Sequence, residues 1–292
     1  MDWTEPFTAG LRRDVPLAPF TTVGLGGPAR WFFEPADAVE VAAFLRAARA
    51  AGVRTLVLGA GANLLVADGG VDAAVIHPAR LDRIEIDGDR VRAGAGVSLT
   101  ELIARTTDAG LGGLETLAGI PAQIGGAIAM NAGGRWGSIS RSTVEVELAT
   151  SDGRVETAPA EALRFSYRKA AIPPGAVVTG ATFRLVPGDR RELKKAAGRI
   201  LKEKNAAQPT TGANFGCAFV NPEGASAGKL VEAAGLKGTV RGGARVSPLH
   251  GNFVENLGSA SADDVRGLLE MIEKTVFERF GVRLEREVRC WP

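Results

Sequence analysis

Cysteine and histidine are scarce in this chain of 292 residues, two of each, and there is a single tyrosine. Cys217 and Cys290 are too few for a disulfide framework, and each reads as a free thiol. His77 and His250 fall in unrelated contexts and give no zinc-ligand spacing, so no metal site is expected. No uncharged apolar run approaches the roughly 18 residues that suggest a membrane span. The start lacks the cationic region and apolar stretch of a signal peptide: Asp2 and Glu5 stand where positive charge belongs, and Pro6 precedes no apolar run. Charge of one sign is also missing. Thirty-five Lys and Arg face 33 Asp and Glu, a formal charge of +2, with the signs interspersed as in Glu285-Arg286-Glu287. Nucleic-acid binders concentrate positive charge to neutralise phosphates, which this chain does not do. A cytoplasmic protein is expected, with no nucleic-acid, membrane or obligate protein partner, and a local anionic-ligand site stays open.

Glycine, by contrast, is abundant, at 38 residues. The glycines are not periodic, which excludes collagen. They cluster at Gly24–Gly27, Gly59–Gly70, Gly94–Gly96, Gly110–Gly134 and Gly242–Gly243. Glycine lets a backbone turn through positive φ and approach a ligand closely. Several such clusters in an otherwise ordered chain suggest a large cofactor wrapped by backbone loops.

Periodicity supplies the elements between them. Ala36 to Ala51 reads as a helix, and Thr55 to Leu58 and Ala73 to Ile76 as short strands. Leu81 to Ala93 reads as strand–turn–strand around Asp87-Gly88-Asp89. Ser98, with Glu101 three residues on, should cap a helix through Ala109. A long glycine-rich stretch runs from Gly110 to Gly137. Strands follow at Val144 to Thr150, Val155 to Thr157 and Val177 to Leu185, and a charged helix at Arg190 to Lys204. Ser261 opens an N-capping pattern with Asp264. Val265, Leu268, Leu269, Ile272, Val276 and Phe280 then form a helical stripe that ends at Gly281. Val282 to Arg289 alternates as a strand. Mixed elements with independent halves indicate an α+β fold rather than one doubly wound sheet.

Two loops could carry a ligand. Gly59-Ala60-Gly61-Ala62-Asn63-Leu64 follows a strand directly, and successive backbone N–H groups there could form an anion nest for a phosphate. It lacks the third glycine of a dinucleotide fingerprint and the Lys-Ser/Thr of a triphosphate loop, so a structural tight turn is the competing reading. The second loop, Gly119-Ile120-Pro121-Ala122-Gln123-Ile124-Gly125-Gly126 through Met130-Asn131-Ala132-Gly133-Gly134, is long for a segment without a ligand.

Together with these loops, SYR (166–168), GCAFVNP (216–222), AGLKG (234–238), HGNF (250–253) and LEREV (284–288) occur in one order along the chain. With LGAGANLLVADGG (58–70) and GLETLAGIPAQIGGAIAMNAGG (113–134), they make the chain similar to the UDP-N-acetylenolpyruvoylglucosamine reductase family from about Phe20 onward. The resemblance implies a two-part FAD-binding module of the vanillyl-alcohol-oxidase-like type over 1–187, its subdomains meeting near 80. An α+β substrate-binding domain would follow over 188–292. It implies an NADPH- and FAD-dependent UDP-N-acetylmuramate dehydrogenase of peptidoglycan precursor synthesis. In that chemistry a hydride reaches C3 of the enolpyruvyl group and a proton reaches C2.

The same resemblance implies roles for residues. FAD would be held by Gly59, Ala60, Gly61, Ala62, Asn63, Leu64, Gly119, Ile120, Pro121, Gly125, Gly126, Asn131, Ala132 and Gly133. Arg168 matches the active-site arginine, whose guanidinium could clamp a carboxylate through two hydrogen bonds. Tyr167 and Asn221 match substrate-binding positions, Asn221 at the diphosphate. Glu287 matches the catalytic glutamate. Cys217 stands where many relatives carry the proton-donating serine; an ordinary thiol, with a pKa of about 8.5, is still mostly protonated at neutral pH. Taken without the resemblance, Arg168 and Glu287 read as surface charges and Cys217 as a core residue. The short segment between Phe183 and Gln208, and an end five residues after Glu287, resemble the compact subclass without a tyrosine-bearing lid loop. An FAD-dependent oxidase or dehydrogenase of another substrate, on the same cofactor module, is the alternative activity.

Overall fold

The computed structural model describes residues 2–210 and 212–292. They form two compact units, each assembled from separated stretches of chain. The first comprises residues up to Arg13, Arg30–Ala60 and Asp72–Glu203; the second comprises Asp14–Ala29, Gly61–Val71 and Lys204–Pro292. The units therefore interleave along the sequence, and the turn 59–64 is divided between them after Ala60. No helix among the described residues is long and apolar enough to cross a membrane.

In the first unit, α1 (Ala38–Ala50) begins at Asp37, whose carboxylate accepts the N–H of Glu40 at 2.8 Å. Val41, Ala42, Phe44, Leu45 and Ala48 recur at helical spacing and are buried. They pack with Phe7, Trp31 and Phe33, and the rings of Phe33 and Phe44 stack at 4.3 Å. This cluster lies by a four-stranded sheet in the order Leu11–Pro16, Pro28–Phe33, Val71–Ile76, Thr55–Val57. The strand pair Thr55–Val57 and Val71–Ile76 is parallel.

A second sheet of five strands runs in the order Val155–Pro159, Thr143–Ala149, Val177–Arg184, Arg90–Gly94, Ile84–Asp87, all antiparallel. The expected hairpin is present, closed by the two residues Gly88-Asp89 with Gly88 at φ +56°. The central strand Val177–Arg184 buries Val178, Ala181 and Phe183 beneath α2 (Leu99–Asp108) and α3 (Ile124–Ala129).

Two expectations fail in this unit. Ser98 starts α2, but its side chain makes no cap hydrogen bond. The residue instead bridges Gln123, and the Leu99 N–H goes to the Ala122 carbonyl at 2.9 Å. The loop expected over 119–134 is not one loop: it contains α3, whose Gly-Gly sequence carries weak helical propensity. Burial overrides propensity there, since Ile124, Ala127 and Ile128 all point into the core.

The second unit has a four-stranded antiparallel sheet in the order Ala213–Cys217, Phe253–Asn256, Ala244–Val246, Val240–Arg241. After α4 (Arg190–Ala207), the expected charged helix, come α5 (Ala227–Ala233) and α6 (Ala262–Phe280), which share the core of this sheet. The capping pattern at α6 is realised in both directions. Ser261 Oγ accepts the Asp264 N–H at 3.0 Å, and the Asp264 carboxylate accepts the Ser261 N–H at 3.0 Å. The Ser261 N–H, joined by the Gly243 N–H at 3.2 Å, holds the Asp264 carboxyl below its ordinary pKa. Gly281, at φ +69°, ends the helix. Of the apolar stripe, all but Phe280 are buried; Phe280 is 41% exposed in the last turn.

The expected strand over 282–289 is also absent as such. Residues 285–287 instead pair briefly with 218–220, through Val220 N–H to Glu285 O at 2.9 Å and Glu287 N–H to Ala218 O at 2.8 Å. Only Arg289–Trp291 forms a strand, parallel to Leu64–Val66. Alternation in this segment reflects half-buried contacts of a coil, such as the Arg286 fork on Glu273 at 2.5 and 2.9 Å.

Ser261→Ala removes one half of the α6 capping box. It should lower unfolding free energy by about 1 kcal/mol, measured by urea titration, with no change in m-value.

Candidate active site

The glycines of the two expected cofactor loops separate by what their own protein requires of them. Gly61 has φ +61°, and a Cβ there would overlap the Phe20 carbonyl. Gly133 has no room beside Gly137 and Ser138. Gly125 packs a would-be Cβ at 3.0 Å from that of Ala95. Packing explains these three. At Gly126 a Cβ meets nothing within 4 Å, and at Gly59 only Gln123 Oε1 at 3.5 Å. Neither has a positive φ, so no backbone constraint demands glycine at either place. Gly59 and Gly126, together with Gly134, which likewise has open space at its Cβ position and no positive φ, are the glycines of these loops that packing and backbone geometry leave unexplained.

Backbone donors narrow the choice further. The N–H groups of Ile124 and Gly125 are donated to Val97 O and Ala95 O, both at 2.9 Å. Ala132 places its methyl in the core and gives its N–H to Ala127 O at 2.8 Å. Leu64 is buried within its strand. Ile120 packs on the core, Pro121 is exposed, and Gly119 turns at φ +76°.

A side chain outside the expected set emerges from the same loop. Gln123 Oε1 is buried, and so is Asn131 Oδ1, and neither has a hydrogen-bond partner among the described residues. An unmet buried acceptor is costly; Trp31 Nε1 is a third such buried atom, and the two amide oxygens are the ones that lie in the expected cofactor loop and could accept from a ligand donor. Phosphate oxygens cannot donate. FAD can, through its ribityl and ribose hydroxyls, its adenine amino group and its flavin imide N–H. The donor chemistry of the two amides therefore fits the flavin, which Gln123 and Asn131 would help to hold. No sequence signal singled out Gln123: its place at the N-cap of α3, where it makes no cap bond, is visible only once the helix is seen.

Arg168 lies in this first unit, at the tip of a hairpin turn. Ser166 and Lys169 exchange backbone hydrogen bonds of 2.9 and 3.2 Å, leaving Tyr167 and Arg168 as the two turn residues. Arg168 has φ +57° and donates from Nη1 to Gly133 O at 2.9 Å. Its guanidinium lies 5.0 Å from the centre of the Tyr167 ring, which is 58% exposed. The structure thus joins the Asn131–Gly133 segment to Tyr167 and Arg168.

The second unit joins another set. Between Asn214 and Cys217 the strand Ala213–Cys217 carries one extra residue against Phe253–Asn256. Gly216 absorbs this bulge at φ +77°. Bulges re-aim side chains, and the residue re-aimed here is the half-buried Cys217. Ala218, its neighbour, accepts the Glu287 N–H, and Asn63 Nδ2 donates to Glu287 O at 3.0 Å. Asn63 therefore directs its amide at the glutamate's backbone. Beneath them, Asn252 is 2% exposed and pairs with both backbone groups of Phe219, at 2.9 and 2.8 Å. Asn252 is a second residue that the site depends on, and only its place in HGNF signalled it. Asn221 Oδ1 accepts the Ala227 N–H at 3.0 Å, so its amide NH₂ is the group left to meet an anion.

His250 accepts the Asn252 N–H at Nδ1, 3.2 Å away. Burial, the largest influence, holds its pKa below the ordinary value; Lys237 adds to this, while its backbone contact and Glu232 oppose it. The folded protein therefore disfavours the imidazolium. As pH falls below about 6.5, the unfolded chain takes up a proton that the folded one resists, so stability declines. Urea titrations at pH 7 and pH 5.5 should show a steeper loss for the unmodified chain than for His250→Gln. Equal losses would remove His250 from the explanation.

Gly126→Ala should act with opposite signs on fold and ligand. The added methyl favours helix by roughly 0.5 kcal/mol, so the apoprotein should melt slightly higher. The same methyl occupies open space at the cofactor loop, so flavin affinity should fall. Flavin titration by fluorescence, beside apoprotein melting, reads both; unchanged affinity would sink the placement.

Residues 29–158 match the family described as FAD binding domain, and residues 208–291 match UDP-N-acetylenolpyruvoylglucosamine reductase, C-terminal domain. The UDP-N-acetylenolpyruvoylglucosamine reductase of Anaeromyxobacter dehalogenans is 45% identical over 99% of this chain and 89% of its own length. That of Geobacter metallireducens is 42% identical over 96% and 93%. The crystal structure of the enzyme from Thermus caldophilus superposes with a TM-score of 0.85 at 38% identity, covering 97% of this chain and all of that one. Physcomitrella patens BBE-like 1 shares the fold over 64% of this chain and 45% of its own, with a TM-score of 0.51 at 21% identity. At such identity, coverage of this order across both halves has one meaning: the chain belongs to the UDP-N-acetylenolpyruvoylglucosamine reductase family.

Proposed function

We propose that Arg168 clamps the carboxylate of the enolpyruvyl substrate, that Cys217 protonates its C2, and that Glu287 supports this proton delivery. The activity they serve is that of the family, the reduction of UDP-N-acetylenolpyruvoylglucosamine to UDP-N-acetylmuramate with NADPH and FAD. FAD, when bound, would supply the hydride chemistry that links NADPH to the enol ether. Everything else falls to the chain's own side chains.

Hydride addition at C3 pushes the double-bond electron pair toward C2 and the adjacent carboxylate. A fixed guanidinium stabilises charge that grows in this way, and it costs no reorganisation when the reaction occurs. Arg168 suits the task because its backbone and its Nη1 are both held. The electron pair then takes a proton at C2. A thiol can give that proton and leave a thiolate, to be reprotonated from water or through Glu287.

The single observation that carries the assignment is the Ala218 carbonyl. It lies next to Cys217 in the chain and holds the Glu287 N–H at 2.8 Å, so donor and glutamate are built on one backbone contact. We assign the flavin to 1–187, with its subdivision near 80, and the UDP-sugar to 188–292. The family matches at 29–158 and 208–291 support that division. The Asn221 amide NH₂ is assigned to the substrate diphosphate. Of the expected flavin contacts, Gly59 and Gly126 are kept as backbone approaches, with Gln123 and Asn131 as side-chain acceptors. The reaction needs no nucleic acid, membrane or protein partner, and its soluble reactants belong in the cytoplasm.

Rapid mixing separates flavin reduction by NADPH from flavin reoxidation by substrate. Cys217→Ala should slow reoxidation by about 10²–10⁴-fold, the usual loss of a general acid, and should spare reduction. Cys217→Ser should retain more activity than Ala because it restores a donor. Reoxidation and product formation at unmodified rates in Cys217→Ala would remove Cys217 from the chemistry.

A further inference from the structure

Asn131 follows α3 and has φ +41°, its N–H bonded to Ile128 O at 3.0 Å. Asparagine commonly ends a helix in the left-handed region, but glycine serves that purpose better. The helix end therefore does not account for the side chain. The residue is only 8% exposed, and its Nδ2 donates to Ser166 O at 2.9 Å. Ser166 begins the turn whose third residue is Arg168.

This turn is unfavourable by itself. Arg168 occupies a left-handed position that glycine or asparagine normally fills. Such conformations persist only where the surroundings over-determine them. Ser166, Tyr167 and Lys169 are exposed and offer little packing. The restraint comes from the segment 131–133, at both ends of the arginine. Asn131 grips the base of the turn, and Gly133 O receives the guanidinium at 2.9 Å. Gly133 is itself fixed, since it pairs with Ser138 in register.

We infer that Asn131 is a positioning residue for Arg168, holding the 166–169 turn through its amide nitrogen while its amide oxygen faces the ligand. The inference rests on the proposed role of Arg168 as carboxylate clamp. Flavin loop and substrate clamp are then a single piece of structure, and one asparagine serves both.

Asn131→Gly keeps the left-handed backbone and removes the amide. Asn131→Asp keeps shape and left-handed tolerance but cannot donate when ionised. Both are measured as holoenzyme, beside Arg168→Ala and the double variant Asn131→Gly/Arg168→Ala. Bound flavin per chain is determined first, and reduction and reoxidation are then followed separately. Both Asn131 variants should slow reoxidation by substrate more than reduction by NADPH, by a factor of about 10 to 10², the scale of a misplaced reacting group. The double variant should reoxidise no more slowly than Arg168→Ala, because a residue acting through the arginine has nothing left to act on. Rate losses that multiply in the double variant would overturn the inference. So would a slow Arg168→Ala beside unimpaired Asn131 variants, or a defect that tracks flavin loss alone. If Arg168→Ala itself reoxidises normally, the clamp reading fails and the inference falls with it.

Discussion

The hydrogen bond from the Asn63 amide to the Glu287 carbonyl spans 224 positions of sequence, and the placement of Glu287 in the second unit depends on it. It sits at the end of the parallel pairing between Leu64–Val66 and Arg289–Trp291, where Arg289 also donates to Asn63 O at 3.0 Å. Closing so long a loop is not prohibitive, because its entropy grows only logarithmically, by about 0.6 kcal/mol per doubling. What such a closure requires is a specific register. A one-residue slip in parallel pairing would turn every side chain to the opposite face. Glu287 would then lose its contact with Ala218, and the candidate acid pair would come apart.

That register explains where reading the chain succeeded and where it stopped. Elements whose instructions are local were legible. Ser261 caps its helix, Gly88 closes its hairpin and Gly281 ends α6, each through chemistry contained within a few residues. Elements made by distant partners were not. α3 is a helix because Ile124, Ala127 and Ile128 face a sheet built from strands far along the chain. Residues 285–287 are extended because 218–220 receive them, and no alternation within the segment encodes that.

The candidate site divides in the same way. Residue identities in the motifs located Arg168, Cys217 and Glu287, but motif membership carried no distinction between glycines that the fold requires and glycines that a ligand requires. Gly61 and Gly133 answer to Phe20 and Gly137, whereas Gly59 and Gly126 answer to nothing that the protein supplies. Asn63 had the form of a cofactor residue and directs its side-chain donor to the backbone of Glu287. Gln123 had no recognisable role until its oxygen proved to be buried without a partner. Such distinctions depend on what lies across the fold, which spacing along the chain does not contain.

The three residues assigned to chemistry share a further property: each sits where regular structure is interrupted. Arg168 occupies the left-handed position of a turn, Cys217 follows a bulge at Gly216, and Glu287 lies between an isolated bridge and the last strand. A regular strand would commit both backbone groups of every residue to its ladder and alternate side chains strictly between faces. Irregularity frees a side chain from that alternation but removes the hydrogen bonds that would hold it. In this chain buried or half-buried asparagines replace those bonds. Asn131 grips the turn of Arg168, Asn63 grips Glu287, and Asn252 pairs with Phe219 as a strand would. An amide suits this work because it carries both donor and acceptor without charge, so it can complete a backbone ladder without altering the electrostatics that the neighbouring charged groups need.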